Sequence, residues 1–312
     1  MSPRSRPRND ERSKRTLAKP PAAVENCRTW TLVWSCGKCK EKVGVSDDKL
    51  EEGVRNGGNS VMTQPLYEER YCAFIDILGF SNLVRSIGND TLQLNAVQKL
   101  LKTIHSPDAG FLYDRAEAGI RAQSISDAVA ISANLNREGL FMLLWIIATL
   151  GERLLSEGYF LRGGVVKGRL YHDENTVFGD ALLEAYRLES QIARYPRVII
   201  PRVLVNSPDG KSVQPRFITQ ASDGPFFVDI LWRTADDLYL AIEEKEPMPS
   251  DQMEFLSVAS AKLQQRLDEA VDNPNHFEKV KWFATYWNDT LAQVRWKKNR
   301  ISGTGNSHAL AM

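Results

Sequence analysis

The sequence predicts an α+β fold: a ferredoxin-like palm of βαββαβ order, with strands and helices added on its C-terminal side. Three observations predict it. Residues 71–78, YCAFIDIL, form a β-prone apolar run closed by Gly79-Phe80. Two further β-prone stretches, 119–125 and 127–134, face each other across Ser126 as a hairpin. A long apolar helical stretch at 137–156 then leads into a strand at 161–168, so strands and helices alternate in the required order.

Taken in order, the first strand is followed by a helix over 81–105, with Ser81 suited to cap it. Leu83, Val84, Ile87, Leu94, Val97 and Leu101 supply its apolar face, and Gly88-Asn89 interrupts it. Within the second helix, the run LFMLLWIIATL at 140–150 is too short to span a bilayer and reads as buried core. After 161–168 come a turn at 172–175, a short strand, the helix 180–193 and a strand at 197–205, RVIIPRVLV. Two more strands are expected at 226–232 and 237–242, then helices at 250–272 and 276–297 and a loose Gly-, Ser- and Asn-rich tail from 301 to 312.

The organisation this implies is a catalytic domain over 62–210 and a strand-helix extension packed on it over 211–300. Residues 1–61 read as a disordered or non-native N-terminal extension, Pro-, Arg- and Ser-rich at its start, with Met62 as an alternative first residue. A small regulatory arm is the functional alternative for this segment. A net charge of +1 gives no bulk attraction to nucleic acid or to an anionic membrane. The Arg-rich start lacks the apolar core of a secretion signal, so a cytoplasmic protein is expected. Cys36 and Cys39 make only half of a zinc knuckle; with Cys27 and Cys72 elsewhere, reduced thiols are the simpler reading.

Asp76 is a lone acid inside the first apolar strand. Alone it would read as a cap for the next helix. Asp127 repeats the design where the two hairpin strands meet, and alone it would read as a turn residue. The first strand and the hairpin are neighbours in the palm, so the two carboxylates meet at one edge of the sheet. Paired carboxylates offer hard oxygen ligands for Mg²⁺ or Mn²⁺.

Four segments in chain order resemble the class III nucleotidyl cyclase catalytic domain. Phe74-Ile75-Asp76-Ile77-Leu78-Gly79-Phe80 matches F-x-D-I-x-G-F, and Ser126-Asp127 stands where the family has a Gly-Asp turn. Arg162-Gly163-Gly164-Val165-Val166-Lys167-Gly168 is similar to R-x-G-I-x-x-G. Residues 179–189, GDALLEAYRLE, are similar to G-x-x-V-N-x-A-x-R-L-E. The resemblance covers roughly residues 70–205. Within the family, Ala185 to Ser190, Tyr195-Pro196-Arg197 and the C-terminal helices look most like the bacterial pyrimidine cyclases of anti-phage (Pycsar) signalling systems.

The resemblance implies conversion of a nucleoside triphosphate to a 3′,5′-cyclic monophosphate and pyrophosphate, with two ions, Mn²⁺ or Mg²⁺, per site. Asp76 and Asp127 would bridge both ions, with the backbone carbonyl of Ile77 joining one. Arg162 would contact the terminal phosphates, and Arg187 would stabilise charge on the phosphate being transferred. Phe74, Gln123, Thr176 and Tyr186 would line the substrate. In this family one domain brings the metal carboxylates and another the arginine. A single copy of each per chain therefore implies a head-to-tail homodimer with composite sites. A separate effector would read the product.

The chain also departs from the pattern. Leu183 replaces the ribose-orienting asparagine, and Gln123 and Thr176 replace the purine-reading pairs. An amide and a hydroxyl can present either hydrogen-bonding pattern. Tyr186 would fill space that a purine needs, or else simply pack in the core. The expected reaction is UTP to cUMP, with CTP to cCMP next and a purine cyclase as the same-class rival. A degenerate domain that only binds nucleotide is the rival from another class, and Leu183 is its support.

Overall fold

The computed structural model describes residues 67–80, 118–304 and scattered residues between 84 and 102. The central strand, β1 (Glu68–Ile77), lies antiparallel to a neighbour on each side. On one side is the hairpin of β2 (Arg121–Ile125) and β3 (Ala128–Asn134), turning at Ser126 with φ of 59°. Helix α1 (Arg137–Ser156) then leads to β4 (Leu161–His172), the neighbour on the other side. A short β5 (Val177–Phe178) folds back on β4, followed by α2 (Asp180–Arg187), which runs on as a π turn, Leu188–Ile192. β6 (Val198–Ile200) pairs parallel with β4. The chain then forms α3 (Arg202–Val205), α4 (Pro208–Phe217), β7 (Ile218–Gln220) and β8 (Phe226–Val228). It closes with α5 (Trp232–Tyr239), α6 (Ser250–Glu269) and α7 (Pro274–Gln293). The sheet order is β2-β3-β1-β4-β6-β8-β7, so the expected palm order is present and β7 and β8 extend the same sheet.

β1 is buried on both faces through its middle, which is why it reads as a nearly unbroken apolar run. Tyr71, Ala73, Ile75 and Ile77 share one core with Val129, Ile131, Val165 and the buried residues of α1. The opposite face carries a second, smaller core, in which Cys72, Val166 and Leu170 meet Ala181, Ala185 and Leu188. Asn136 caps α1, its side chain accepting from the Gly139 N–H at 2.6 Å. By length and composition alone α1 could cross a membrane, but 72% of its apolar window is buried inside the protein.

Several expectations need correcting. The strand expected over 197–205 is only Val198–Ile200. Pro201 has no N–H for the ladder, and its carbonyl instead accepts from the N–H groups of Leu204 and Val205. The strand expected over 226–232 stops at Val228, and Trp232 already opens a helix. The strand expected over 237–242 is helical, running through Tyr239 and on into a π turn, Leu240–Glu244. Thr234 and Leu238, four residues apart, are buried on one side of it, a helical spacing that the short apolar alternation hid. Helix α4, which holds Gly210 and Pro215, had no propensity signal; Ser207 caps it and Phe217 anchors it against Phe141 and Trp145. The last two helices end earlier than expected, at Glu269 and Gln293. Ile301 is buried and its N–H bonds Asn288, so residues 301–304 are tied down rather than loose. The helix expected over 81–105 is only partly within the described residues, where those from Phe80 to Lys102 are helical. Residues 1–61, with Cys27, Cys36 and Cys39, lie outside the described residues.

Candidate active site

The site is built on one face of the sheet. Residues paired across antiparallel strands point to the same side. Cys72, Phe74 and Asp76 of β1 therefore share a face with Ser132, Ala130 and Ala128 of β3 and with Val166, Gly164 and Arg162 of β4. Gln123 joins them from β2, opposite Ala130. Helix α2 covers this face over β4 and sits very close to it. A Cβ placed on Gly164 would lie 2.5 Å from Leu188 Cβ and 2.8 Å from the Ala185 carbonyl oxygen. The glycine of this motif is thus a packing requirement: it lets a helix presenting Ala181 and Ala185 lie down on the strand.

At the C-terminal end of β1 the two predicted carboxylates meet. Asp76 pairs with Ala128 across the ladder, and Asp127, the residue before Ala128 in the turn, lies close enough for its charge to raise the Asp76 carboxyl. The Ile77 side chain points into the core, which leaves only its backbone to the site. Arg162, opposite Asp76 on β4, enters the same cluster: its Nη2 lies 3.3 Å from Asp76 Oδ2. The same nitrogen pairs with Glu189, a carboxylate only 4% exposed. Burial, with Asp127 and Glu189 facing it, pushes Asp76 up to about 7 against the pull of Arg162. Asp76 and Glu189 thus share one guanidinium with a third carboxylate, Asp127, beside them, and the cluster is short of positive charge.

Among the described residues no set of three or more His, Cys, Asp and Glu side chains could hold a metal ion by itself. The donors on offer are two carboxylates and a backbone carbonyl, all hard oxygens. That set fits Mg²⁺ or Mn²⁺, which are commonly bound by one or two carboxylates with water and substrate phosphates completing the shell.

The other predicted residues divide into two groups. Phe74 and Tyr186 are brought together edge to face, with ring centroids 5.5 Å apart, and Tyr186 is 52% exposed rather than buried in the core. Gln123 reaches the turn that holds Thr176: its Nε2 donates to the Asn175 carbonyl at 2.7 Å. The Asp173 carboxylate holds that turn by accepting from the Asn175 and Thr176 N–H groups. Gln123 Oε1 is buried with no hydrogen-bond partner, an acceptor waiting for a donor. Arg187 stands apart. It points outward and makes two 2.7 Å hydrogen bonds to Glu184. Leu183 is 68% exposed.

Glu189 is the residue that sequence reasoning missed. Its signal was present: Ala181, Ala185 and Glu189 recur every four residues, so an acid lies on the stripe that faces the sheet. A buried acid on such a stripe calls for a cation, and Arg162 is that cation.

No protein-family model matches the chain, and no curated protein matches its sequence. Solved structures do. The chain is similar to the monomeric guanylyl cyclase domain of the RhoGC fusion protein from the aquatic fungus Blastocladiella emersonii, at 18% identity, over 52% of this chain and 95% of that one, with a TM-score of 0.37. It is similar to an adenylate/guanylate cyclase/hydrolase from Silicibacter pomeroyi, at 18% identity over 52% and 95% of the two chains, with a TM-score of 0.34. Adenylate cyclase from Trypanosoma brucei in its monomeric state matches at 14% identity over 54% and 89%, with a TM-score of 0.37.

Proposed function

We propose that this chain is a nucleotide cyclase that acts on a pyrimidine nucleoside triphosphate, UTP before CTP. The observation that carries the reading is the meeting of Asp76 and Asp127 at the end of β1, short of positive charge. Asp76, Asp127 and the Ile77 carbonyl are the groups that would hold divalent ions. Two such ions, Mn²⁺ or Mg²⁺, would activate the 3′-hydroxyl and neutralise the leaving polyphosphate. In the reaction the 3′-oxygen bonds to the α-phosphorus, the bond to the β-phosphate oxygen breaks, pyrophosphate leaves and the hydroxyl proton passes to solvent.

The remaining residues position the substrate. The Phe74–Tyr186 pair supplies an aromatic wall, and the bulk of Tyr186 favours the smaller base. The unpartnered Gln123 Oε1 would accept from the base edge, and Thr176 follows Asn175, whose carbonyl Gln123 bonds. Arg187 and Leu183 face outward, which suits a site completed by a second copy of the chain, each copy presenting Arg187 to the other's carboxylates. By the resemblance stated above, the cyclic pyrimidine nucleotide would be a second messenger for anti-phage defence, read by a separate effector.

The test is incubation with each of the four nucleoside triphosphates and Mn²⁺, with the products identified by mass spectrometry. A cyclic pyrimidine nucleotide as the main product supports the reading. A cyclic purine product overturns the base assignment, and nucleotide binding without turnover overturns the enzyme assignment.

A further inference from the structure

The ion-pair geometry at the end of β1 suggests a role for Glu189. The same Arg162 Nη2 that lies 3.3 Å from Asp76 Oδ2 is also paired with Glu189. Asp76 is 19% exposed and Arg162 23%, whereas Glu189 is almost fully enclosed. Glu189 is therefore enclosed beneath the cluster by the packing of the π turn that continues α2, and Arg162 is the cation shared by two acids. Arg162 Nε is buried without a hydrogen-bond partner, so half of its fork is uncommitted.

We propose that Arg162 is a built-in competitor for the cation site, and that Glu189 is a positioning residue that draws its guanidinium away from Asp76. This rests on the assignment of Asp76 and Asp127 as metal ligands. In the metal-free protein Arg162 supplies the positive charge that Asp76 lacks. When a divalent ion takes Asp76, Arg162 gives up that contact and stays with Glu189. Its free edge then faces the site, where planar donors match phosphate oxygens. Without Glu189, Arg162 would settle wholly on Asp76 and oppose the incoming ion. Without Arg162, Glu189 would have nothing to hold.

A double-mutant cycle on Mn²⁺ binding tests this without nucleotide and without turnover. The full chain is stripped with chelator, and free Mn²⁺ is followed by electron paramagnetic resonance. Arg162→Gln should tighten Mn²⁺ binding by about tenfold, the scale of one charged hydrogen bond. Glu189→Gln should weaken it by a similar factor, and Glu189→Asp, which keeps the charge, should recover part of the loss. In the Arg162→Gln background, Glu189→Gln should have no further effect. Weaker or unchanged binding in Arg162→Gln overturns the proposal. So does a Glu189→Gln loss that persists in the double variant, because Glu189 would then act on the ion by its own charge. If Glu189→Gln does not fold, the direction of the Arg162→Gln change decides alone. Absence of Mn²⁺ binding in both the wild type and Arg162→Gln overturns this inference together with the metal assignment. The expected cycle without any cyclic nucleotide product overturns the cyclase reading and leaves this inference standing.

Discussion

Gly164→Ala adds one methyl group at the point where the fold and the site depend on each other. The new carbon would stand 2.5 Å from Leu188 Cβ, 2.8 Å from the Ala185 oxygen and 3.1 Å from Leu188 Cδ1. Comfortable carbon contacts are about 3.5–4.0 Å, so roughly 1 Å must be made up. Leu188 Cδ1 can rotate away, but Leu188 Cβ and the Ala185 carbonyl move only with the backbone. The helix itself must lift, and with it the small core of Ala181, Ala185 and Leu188 on Cys72, Val166 and Leu170. Overpacking of this kind costs about 1–3 kcal/mol. The loss of unfolded-chain freedom on replacing Gly by Ala returns about 0.4–1 kcal/mol, leaving a net loss of about 1–2 kcal/mol. Urea denaturation should therefore show a lower midpoint with an unchanged slope. Gly168→Ala is the control: its nearest contact would be 3.3 Å, to Ala181 Cβ, and its cost should be smaller. Lifting α2 also carries Glu189 away from Arg162, so Gly164→Ala should lose more activity than stability. A Gly164→Ala protein as stable as the wild type would refute the close seating of α2 on β4.

Four other outcomes are expected. Asp76→Ala and Asp127→Ala should each abolish turnover while the protein stays folded by circular dichroism, and near-wild-type activity from either would remove the metal-site assignment. Mixing inactive Asp76→Ala with inactive Arg187→Ala should restore about a quarter of wild-type activity, because about half of randomly exchanged dimers are mixed and each has one intact site. No recovery after confirmed subunit exchange would place the whole site within one protomer. Gln123→Ala should erode the choice between UTP and CTP, read as the ratio of kcat/KM values, more than it lowers kcat on the better substrate. An unchanged ratio would remove Gln123 from base reading.

The fourth concerns pH. Burial raises Asp229 from 3.8 to about 6, although the Tyr286 hydroxyl and the Leu231 N–H both donate to it. Between those values the folded protein keeps a proton that the unfolded chain has lost. The Asp229 contribution to stability is therefore complete at low pH and is lost as pH rises through about 6. Asp229→Asn should flatten that part of the plot of Tm against pH, and parallel profiles for the two proteins would contradict the assignment.

Much of the palm was legible in the sequence because its signals are local. Gly79 ends the β1 run, Ser126 turns the hairpin, and twenty residues of apolar periodicity mark α1. From the strand order alone it followed that Asp76 and Asp127 would be neighbours, since β1 and the hairpin adjoin in any such palm. The segment at 237–242 failed because a short apolar alternation fits either period, and burial of Thr234 and Leu238 on one side decided for helix. Glu189 and the partners of Arg162 belong to the tertiary structure. Motif spacing puts an acid just beyond α2 and an arginine on β4. Only the seating of that helix on Gly164 encloses Glu189 and brings it against the half-buried Arg162 beside Asp76. Chain neighbours and ladder partners follow from covalent geometry and register. Which charge becomes enclosed, and against what, follows from how closely two elements distant in sequence can approach.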